Sequence, residues 1–129
     1  MNEEDFSTQV EDALTRFGWR WMHQRPAKTE KGWRTALSGH KGFPDYVAVH
    51  EQKKRLLFIE LKGDTGKTSP EQDEWLNDLR ECQKTILLSP AMVKCGKATI
   101  TVKGSSMITF PEVYVWYPKD SDAMIEVLR

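Results

Sequence analysis

The sequence lacks the features of a membrane or secreted protein. No apolar run approaches the roughly 18 residues that a membrane-spanning helix needs, and the acidic first residues form no signal-peptide pattern. Cysteine is scarce: Cys82 and Cys95 show no metal-ligand spacing, and free thiols are favoured over the alternative of a disulfide between them. We therefore expect an intracellular, cytoplasmic protein with no signal peptide and no membrane partner.

Net charge is also lacking, because 19 basic residues balance 19 acidic ones. A strong bulk attraction to nucleic acid is thereby disfavoured. The distribution is uneven, however: residues 1–14 carry a charge of −5, residues 15–67 carry +7 and residues 68–129 carry −2. The positive block favours a phosphate polymer as ligand, although charge fluctuations of this kind are common in chains of this length.

Residues 42–62 carry the clearest chemistry. Two apolar segments flank a short charged turn, which is the pattern of a β-hairpin. With the turn centred on residues 52 and 53, Asp45 at the start of the first strand faces Glu60 at the end of the second, with Cβ atoms roughly 5 Å apart. Lys62 lies two residues beyond Glu60 and shares its face of the strand.

Two carboxylates at that distance repel each other unless a proton or a cation lies between them. Mg²⁺ commonly binds one or two carboxylates together with water and substrate phosphate, and a neighbouring lysine can orient a water molecule or stabilise negative charge. Asp45, Glu60 and Lys62 therefore suit metal-dependent hydrolysis of a phosphodiester. The structural alternative is an ordinary Pro-Asp turn and a strand that ends in solvent.

These residues carry a resemblance to a known nuclease superfamily. Pro44-Asp45 followed by Glu60-Leu61-Lys62 at the end of a hydrophobic strand resembles the PD-(D/E)xK signature. More specifically, the chain is similar to the virus-type replication-repair nuclease (VRR-NUC) domain in Gly18-Trp19-Arg20, Gly42-Phe43-Pro44-Asp45, Ser69-Pro70-Glu71-Gln72 and Val113-Tyr114-Val115-Trp116. The resemblance covers most of the chain apart from residues 83–111.

The resemblance implies a restriction-endonuclease-like α/β fold of three layers, with helices flanking a central mixed sheet in the order α-β-β-β-α-β-α. It implies a DNA nuclease that depends on Mg²⁺ or Mn²⁺. Because stand-alone members resemble dimeric junction-cleaving enzymes, it further implies branched DNA or a Holliday junction as substrate, a homodimer, and a role in phage or viral replication or repair in a bacterial host cell. A non-catalytic DNA-binding module of the same fold is the alternative.

The resemblance also assigns roles to individual residues. It implies a metal held by Asp45, Glu60, the carbonyl of Leu61 and an acid on the first helix. It implies a catalytic set formed by the same two acids with Lys62, which would position the attacking water, and Gln72 on the second helix.

The first helix is predicted over residues 3–17 from apolar residues at spacings of three and four. Glu3 precedes Val10 by seven residues and so lies on the inward face, whereas Glu4 and Glu11 are predicted to point away from it. Glu3 is the best match to the family's acid on this helix, with Glu4 second. The alternative role for Glu3 is a favourable interaction with the helix dipole.

Residues 23–41 are predicted to form a long loop, whose basic residues and interleaved tryptophan suit contact with phosphates and unstacked bases. The alternative for any single residue is simple solvation. The histidines of this stretch show no ligand spacing, so zinc is not expected. The predicted DNA contacts, including one lysine further along the chain, are Arg25, Lys28, Arg34, Lys41 and Lys67.

Residues 63–68 end in Gly-Lys-Thr and raise the rival hypothesis of a nucleotide-binding loop. The P-loop pattern requires a glycine where Leu61 stands, so we expect no nucleotide cofactor. Ser69 is predicted to cap the second helix, with Gln72 completing a capping box, as an alternative or an addition to its active-site role. This helix is predicted to run to residue 82 and to bury Trp75, Leu76 and Leu79.

The remaining sequence completes one domain over residues 1–129, a length that suits a single modest core. Residues 83–111 are predicted to be a β-rich insertion, with strands near 85–89, 98–103 and 107–110. A strand over 112–117 and a short helix ending at 128 follow.

Overall fold

The computed structural model describes residues 1–24, 27–29, 32–34, 38–88, 92–95, 98–101 and 106–129. Its helices and strands are, in chain order, α1 (Glu3–Arg16), β1 (Arg20–His23), β2 (Ala27–Thr29), β3 (Gly32–Arg34), β4 (Tyr46–His50), β5 (Arg55–Leu61), α2 (Pro70–Glu81), β6 (Lys84–Leu88), β7 (Met92–Cys95), β8 (Ala98–Thr101), β9 (Ser106–Phe110), β10 (Glu112–Trp116) and α3 (Ser121–Leu128). None of the described helices is long and apolar enough to cross a membrane.

The main sheet has four strands in the spatial order β1-β4-β5-β10. The first two pairs are antiparallel and β10 runs parallel to β5, so the sheet is mixed, as the sequence predicted. The small two-stranded sheets β2–β3, β6–β9 and β7–β8 lie outside it.

The β4–β5 hairpin has the register that the sequence predicted. Tyr46 pairs with Ile59, so Asp45, one residue before β4, lies opposite Glu60. Both strands are central in the sheet. The face opposite the main core is only partly covered, because Val49 remains 37% exposed there.

Helices α1 and α3 cover one face of the sheet. Phe6 and Leu14 from α1, Ile59 from β5, and Met124 and Leu128 from α3 belong to one buried apolar cluster. Since the apolar residues of α1 recur every three or four positions, they form a single stripe that packs against the strands.

Helix α2 lies on the other face. The ring of Phe43 stands edge-on to Phe58 of β5 and to Trp75 of α2, with centroids 5.8 and 5.0 Å away. Only Leu76 of α2 is buried, at 2% exposure. The prediction that Trp75 and Leu79 are buried too is wrong, because both keep contact with solvent at the margin of this layer.

Hydrogen bonds from Arg55 hold the last strand and the last helix against the sheet. Its guanidinium donates to both carboxylate oxygens of Glu112 at 2.7 Å and to the Val127 carbonyl at 2.8 Å. On the same side, the indole N–H of Trp19 donates to the Leu128 carbonyl at 2.8 Å. These bonds join β10 and α3 to the first half of the chain.

Two predictions for the less regular parts need correction. The stretch 23–41 is not only a loop, because β2 and β3 pair within it as an antiparallel hairpin. Strands of three residues are too short to show an alternating pattern in a polar sequence. The β-rich insertion over 83–111 is present, but its pairing of β6 with β9 encloses an additional strand, β7, that the sequence did not indicate.

Gly42 brings the chain before β4 against the first turn of α2. Its φ is 98°, and a Cβ there would lie 2.6 Å from the Glu71 carbonyl carbon and 2.9 Å from the Gln72 nitrogen. The indole of Trp75 supports the same contact by donating to the His40 carbonyl at 3.2 Å. Because no side chain fits between these two backbones, only glycine allows the approach.

We predict that Gly42→Ala lowers the free energy of unfolding by about 2 kcal/mol more than a glycine substitution without a clash, because the backbones must separate. Gly39→Ala is the matched control: its φ is 105° and nothing lies within 4 Å of its Cβ position. That variant should lose only about 1–2 kcal/mol from backbone strain. Urea unfolding of both variants measures the difference, and equal losses would show that the contact with α2 is energetically unimportant.

Candidate active site

The two acids of the hairpin meet through the backbones of opposite strands. The Asp45 amide donates to Oε2 of Glu60 at 3.2 Å, and the Leu61 amide donates to Oδ2 of Asp45 at 2.9 Å. The regular ladder ends one residue earlier, at Tyr46. Where the strands separate, the carboxylates therefore replace backbone carbonyls as acceptors, and each acid is held by the strand opposite its own.

Glu60 is the one charged residue that is buried among those the structure describes, at 1% exposure. Its Oε1 accepts a hydrogen bond from Nε2 of Gln72 at 2.6 Å and lies 3.2 Å from Nζ of Lys62. Lys62 is itself only 12% exposed. The end of β5 and the start of α2 thus converge on this carboxylate.

Burial raises the pKa of Glu60 to about 7, the charge of Asp45 adds to the rise, and Lys62 opposes it. Burial also raises the pKa of Asp45, although the Leu61 amide acts in the opposite direction. Two neighbouring carboxyl groups with raised pKa values favour a proton or a cation between them.

Glu3 lies within electrostatic reach of this pair. Glu3 is an exposed residue, but partial burial of its carboxyl group raises its pKa, the charge of Asp45 raises it further, and Lys62 lowers it. The first turn of α1 packs on the residue after Lys62, since a Cβ at Gly63 would lie 3.0 Å from the Glu3 amide nitrogen. This placement favours Glu3 over Glu4 as the helix acid, a role that stays a prediction.

The acids that the structure brings together here are a pair. Within the described ranges, no group of three or more His, Cys, Asp or Glu side chains has the arrangement of a metal site. Asp45 and Glu60 are joined by their hydrogen bonds, and Glu3 is a neighbour of the pair. The role of the Leu61 carbonyl stays a prediction.

Gln72 combines the two roles that the sequence left as alternatives. The side-chain Oε1 of Gln72 accepts a hydrogen bond from the backbone N–H of Ser69 at 2.9 Å. The backbone N–H of Gln72 donates to the Ser69 hydroxyl at 3.2 Å, which closes the capping box of α2. The Nε2 end of the same side chain holds Glu60. The helix cap therefore fixes the orientation of the group that contacts the buried acid.

The five predicted DNA contacts stay predictions. Arg25 lies outside the described residues, as do the side chains of Lys28 and Arg34, whose backbones belong to β2 and β3. Lys41 is exposed, with Nζ 3.4 Å from an acid of α2. Lys67 is exposed in the turn that follows the candidate active site.

Sequence analysis missed a polar group on the α1 side of the sheet. Contrary to the prediction, Glu11 does not point away from the inward face of α1, because its side chain is only 18% exposed. Its carboxylate accepts a hydrogen bond from the Tyr46 hydroxyl, and its Oε2 lies 3.2 Å from Nδ1 of His23. The sequence feature that indicates the inward orientation of Glu11 is its helical spacing. Glu11 lies four residues after Ser7 and three before Leu14, and both of these residues are buried.

Comparison with known families identifies the class of protein. The model of the VRR-NUC domain family matches residues 2–88, more than half of the chain, and this range includes Asp45, Glu60, Lys62 and Gln72. The chain belongs to the VRR-NUC domain family, which confirms the resemblance and indicates a nuclease-type function with contact to DNA. No curated protein and no solved structure matches the chain.

We predict that ionisation of Glu60 destabilises the protein as pH rises through the interval from its unfolded pKa of 4.5 to its folded pKa of about 7. The folded state binds this proton more tightly, so the contribution is present at low pH and declines by about 3 kcal/mol across the interval. Chemical unfolding with EDTA over this pH range measures it.

The matched control for this prediction is Glu60→Gln, which removes the titrating group and keeps a hydrogen-bonding side chain of the same length. The wild type should lose stability relative to this variant as pH rises. A difference between the two proteins that is constant with pH, or that changes in the opposite direction, would contradict the raised pKa.

Proposed function

We propose that this chain is a DNA nuclease that depends on Mg²⁺ or Mn²⁺ and hydrolyses phosphodiester bonds on a restriction-endonuclease-like core. The observation that carries the proposal is the convergence of Asp45, Glu60 and Lys62 at one end of the β4–β5 hairpin. Membership of the VRR-NUC domain family supports the same chemistry.

The donor set suits a hard divalent cation. Asp45 and Glu60, together with the Leu61 carbonyl, would hold it through oxygen atoms, and Glu3 would join through water. The raised pKa of Glu60 supports this proposal, since a cation between the two acids relieves the repulsion that otherwise retains a proton. When bound, the cation would polarise the phosphate and stabilise the leaving oxygen.

Lys62 and Gln72 would supply the rest of the chemistry. Lys62 has its ammonium group anchored on Glu60, in a position from which it would orient the attacking water and stabilise developing negative charge. Gln72 would keep the Glu60 carboxylate in a fixed orientation. Because both are partly buried, their side chains are already ordered before substrate binds.

For the substrate we propose branched DNA such as a Holliday junction, cut by a homodimer in phage or viral replication or repair. The uneven charge supports DNA in general, because the acidic pair lies within the stretch of sequence, residues 15–67, that carries a net charge of +7. We treat residues 1–129 as one nuclease domain, which is supported by the Arg55–Glu112 ion pair between β5 and β10. The alternative is a DNA-binding module of the same fold that lacks catalysis.

We predict cleavage of labelled duplex, flap or four-way-junction DNA with Mg²⁺ or Mn²⁺ and none with EDTA. Asp45→Ala and Lys62→Ala should each reduce the rate at least about 100-fold, because each removes a group that acts on the reacting phosphate or water. Both variants should still bind DNA. If the wild type cuts no substrate and binds DNA as well as the variants do, the nuclease proposal is wrong and the binding module stands.

A second prediction separates the two roles of Gln72. Gln72→Ala and Ser69→Ala each break the capping box and should each lower stability by about 1 kcal/mol. Only Gln72→Ala removes the donor to Glu60, so it alone should reduce the cleavage rate, by about tenfold or more. Thermal melts and single-turnover rates compare the variants, and equal rate losses in both would assign Gln72 to the helix cap alone.

A further inference from the structure

His23 lies beside the candidate active site and has no role in the chemistry proposed above. It ends β1, where its cross-strand partner is Tyr46, the neighbour of Asp45. The Gln24 amide donates to the Asp45 carbonyl at 3.0 Å and holds this end of β1 in place. Since β1 and β5 lie on opposite sides of β4, His23 and Lys62 flank Asp45 from two sides.

Two residues hold the imidazole of His23. Its ring stacks on Tyr46 with centroids 4.1 Å apart, and its Nδ1 lies 3.2 Å from Oε2 of Glu11. The Tyr46 hydroxyl donates to the same oxygen, so ring, phenol and carboxylate form one unit. Among the described residues Nε2 has no hydrogen-bond partner, and the side chain keeps 17% of its surface exposed.

This arrangement suits an anion. When the ring is protonated, Nδ1–H faces the Glu11 carboxylate and the second N–H, on Nε2, is a charge-assisted donor. Burial raises the pKa of Asp45 and the charge of His23 acts against that rise, so the ring is within electrostatic reach of that acid. Among the described residues, the acids near the ring are Glu11, at hydrogen-bond distance, and Asp45, within electrostatic reach.

We propose that His23, held by Glu11 and Tyr46, forms a phosphate-binding subsite next to the candidate active site and takes a backbone phosphate of the DNA. The proposal rests on the proposed nuclease function, since that function brings a phosphate polymer to Asp45. His23 is a substrate-binding residue in this subsite, and Glu11 is a positioning residue.

The first test counts phosphate contacts from the salt dependence of binding. Fluorescence anisotropy of a labelled DNA duplex, at one slightly acidic pH with EDTA to prevent cleavage, gives the slope of log K against log salt. His23→Gln should reduce the magnitude of this slope by about 0.9, the value of one phosphate contact, and should weaken binding about five- to tenfold. An unchanged slope overturns the proposal.

Lys53→Gln is the matched control for a lost positive charge. Lys53 lies in the turn at the opposite end of the hairpin, where its Nζ donates to the Arg129 carbonyl at 2.8 Å. This variant should leave the slope unchanged. A slope that falls equally in Lys53→Gln and His23→Gln would reflect net charge alone and would also overturn the subsite.

The second test uses the acid of the subsite. Removing an acid from a DNA-binding surface ordinarily strengthens binding, yet Glu11→Gln should weaken it about threefold, because the ring loses the carboxylate that holds it in position. Asp12→Asn, which removes an exposed acid from the same helix, should not weaken binding. Thermal melts establish that each variant is folded, and stronger binding by folded Glu11→Gln contradicts the proposal.

The outcomes separate the subsite from the nuclease proposal. A wild type that cleaves DNA, combined with an unchanged salt slope in His23→Gln, rejects the subsite alone. A wild type that binds DNA without cleaving it, combined with the reduced slope, rejects catalysis and keeps the subsite. Absence of DNA binding by the wild type rejects both.

Discussion

The arrangement of the domain depends on one buried carboxylate, that of Glu60. A buried charge is costly unless it is paired and hydrogen-bonded, and here each partner comes from a different part of the chain. The backbone N–H of Asp45 comes from the residue before β4, and the ammonium group of Lys62 from the residue after β5. The side-chain amide of Gln72 comes from α2. The close approach at Gly42 brings α2 near enough for the last of these bonds.

The partners of Glu60 hold it in place without removing the repulsion from Asp45: burial raises the pKa of Glu60, and the charge of Asp45 raises it further. Such local cost is typical of functional sites, where the surrounding core maintains an arrangement that is unfavourable by itself. The apolar cluster beneath α1 and α3 supplies that support. A divalent cation would convert the same repulsion into binding energy, which is why we interpret the pair as a metal site rather than as a structural ion pair.

Sequence predicted the parts of this site that depend on local rules. The position of the turn fixes the register of a hairpin, so the sequence was enough to place Asp45 opposite Glu60. The helix-capping pattern likewise placed Gln72 at the start of α2. It missed the contact of Glu11 with His23 because that contact depends on how α1 packs across β1, which no local pattern specifies. The strands of three residues between β1 and β4 were missed because they are shorter than the alternation that identifies a strand.

The most direct measurement is anomalous scattering from a crystal of the protein soaked in Mn²⁺. The account predicts a peak within coordination distance of both Asp45 and Glu60, close to the roughly 2.0–2.1 Å at which Mg²⁺ lies from its oxygen ligands. It further predicts that Glu3 lies close enough to reach the ion through one water molecule. A crystal with Mn²⁺ bound elsewhere, and with none between Asp45 and Glu60, would contradict the account.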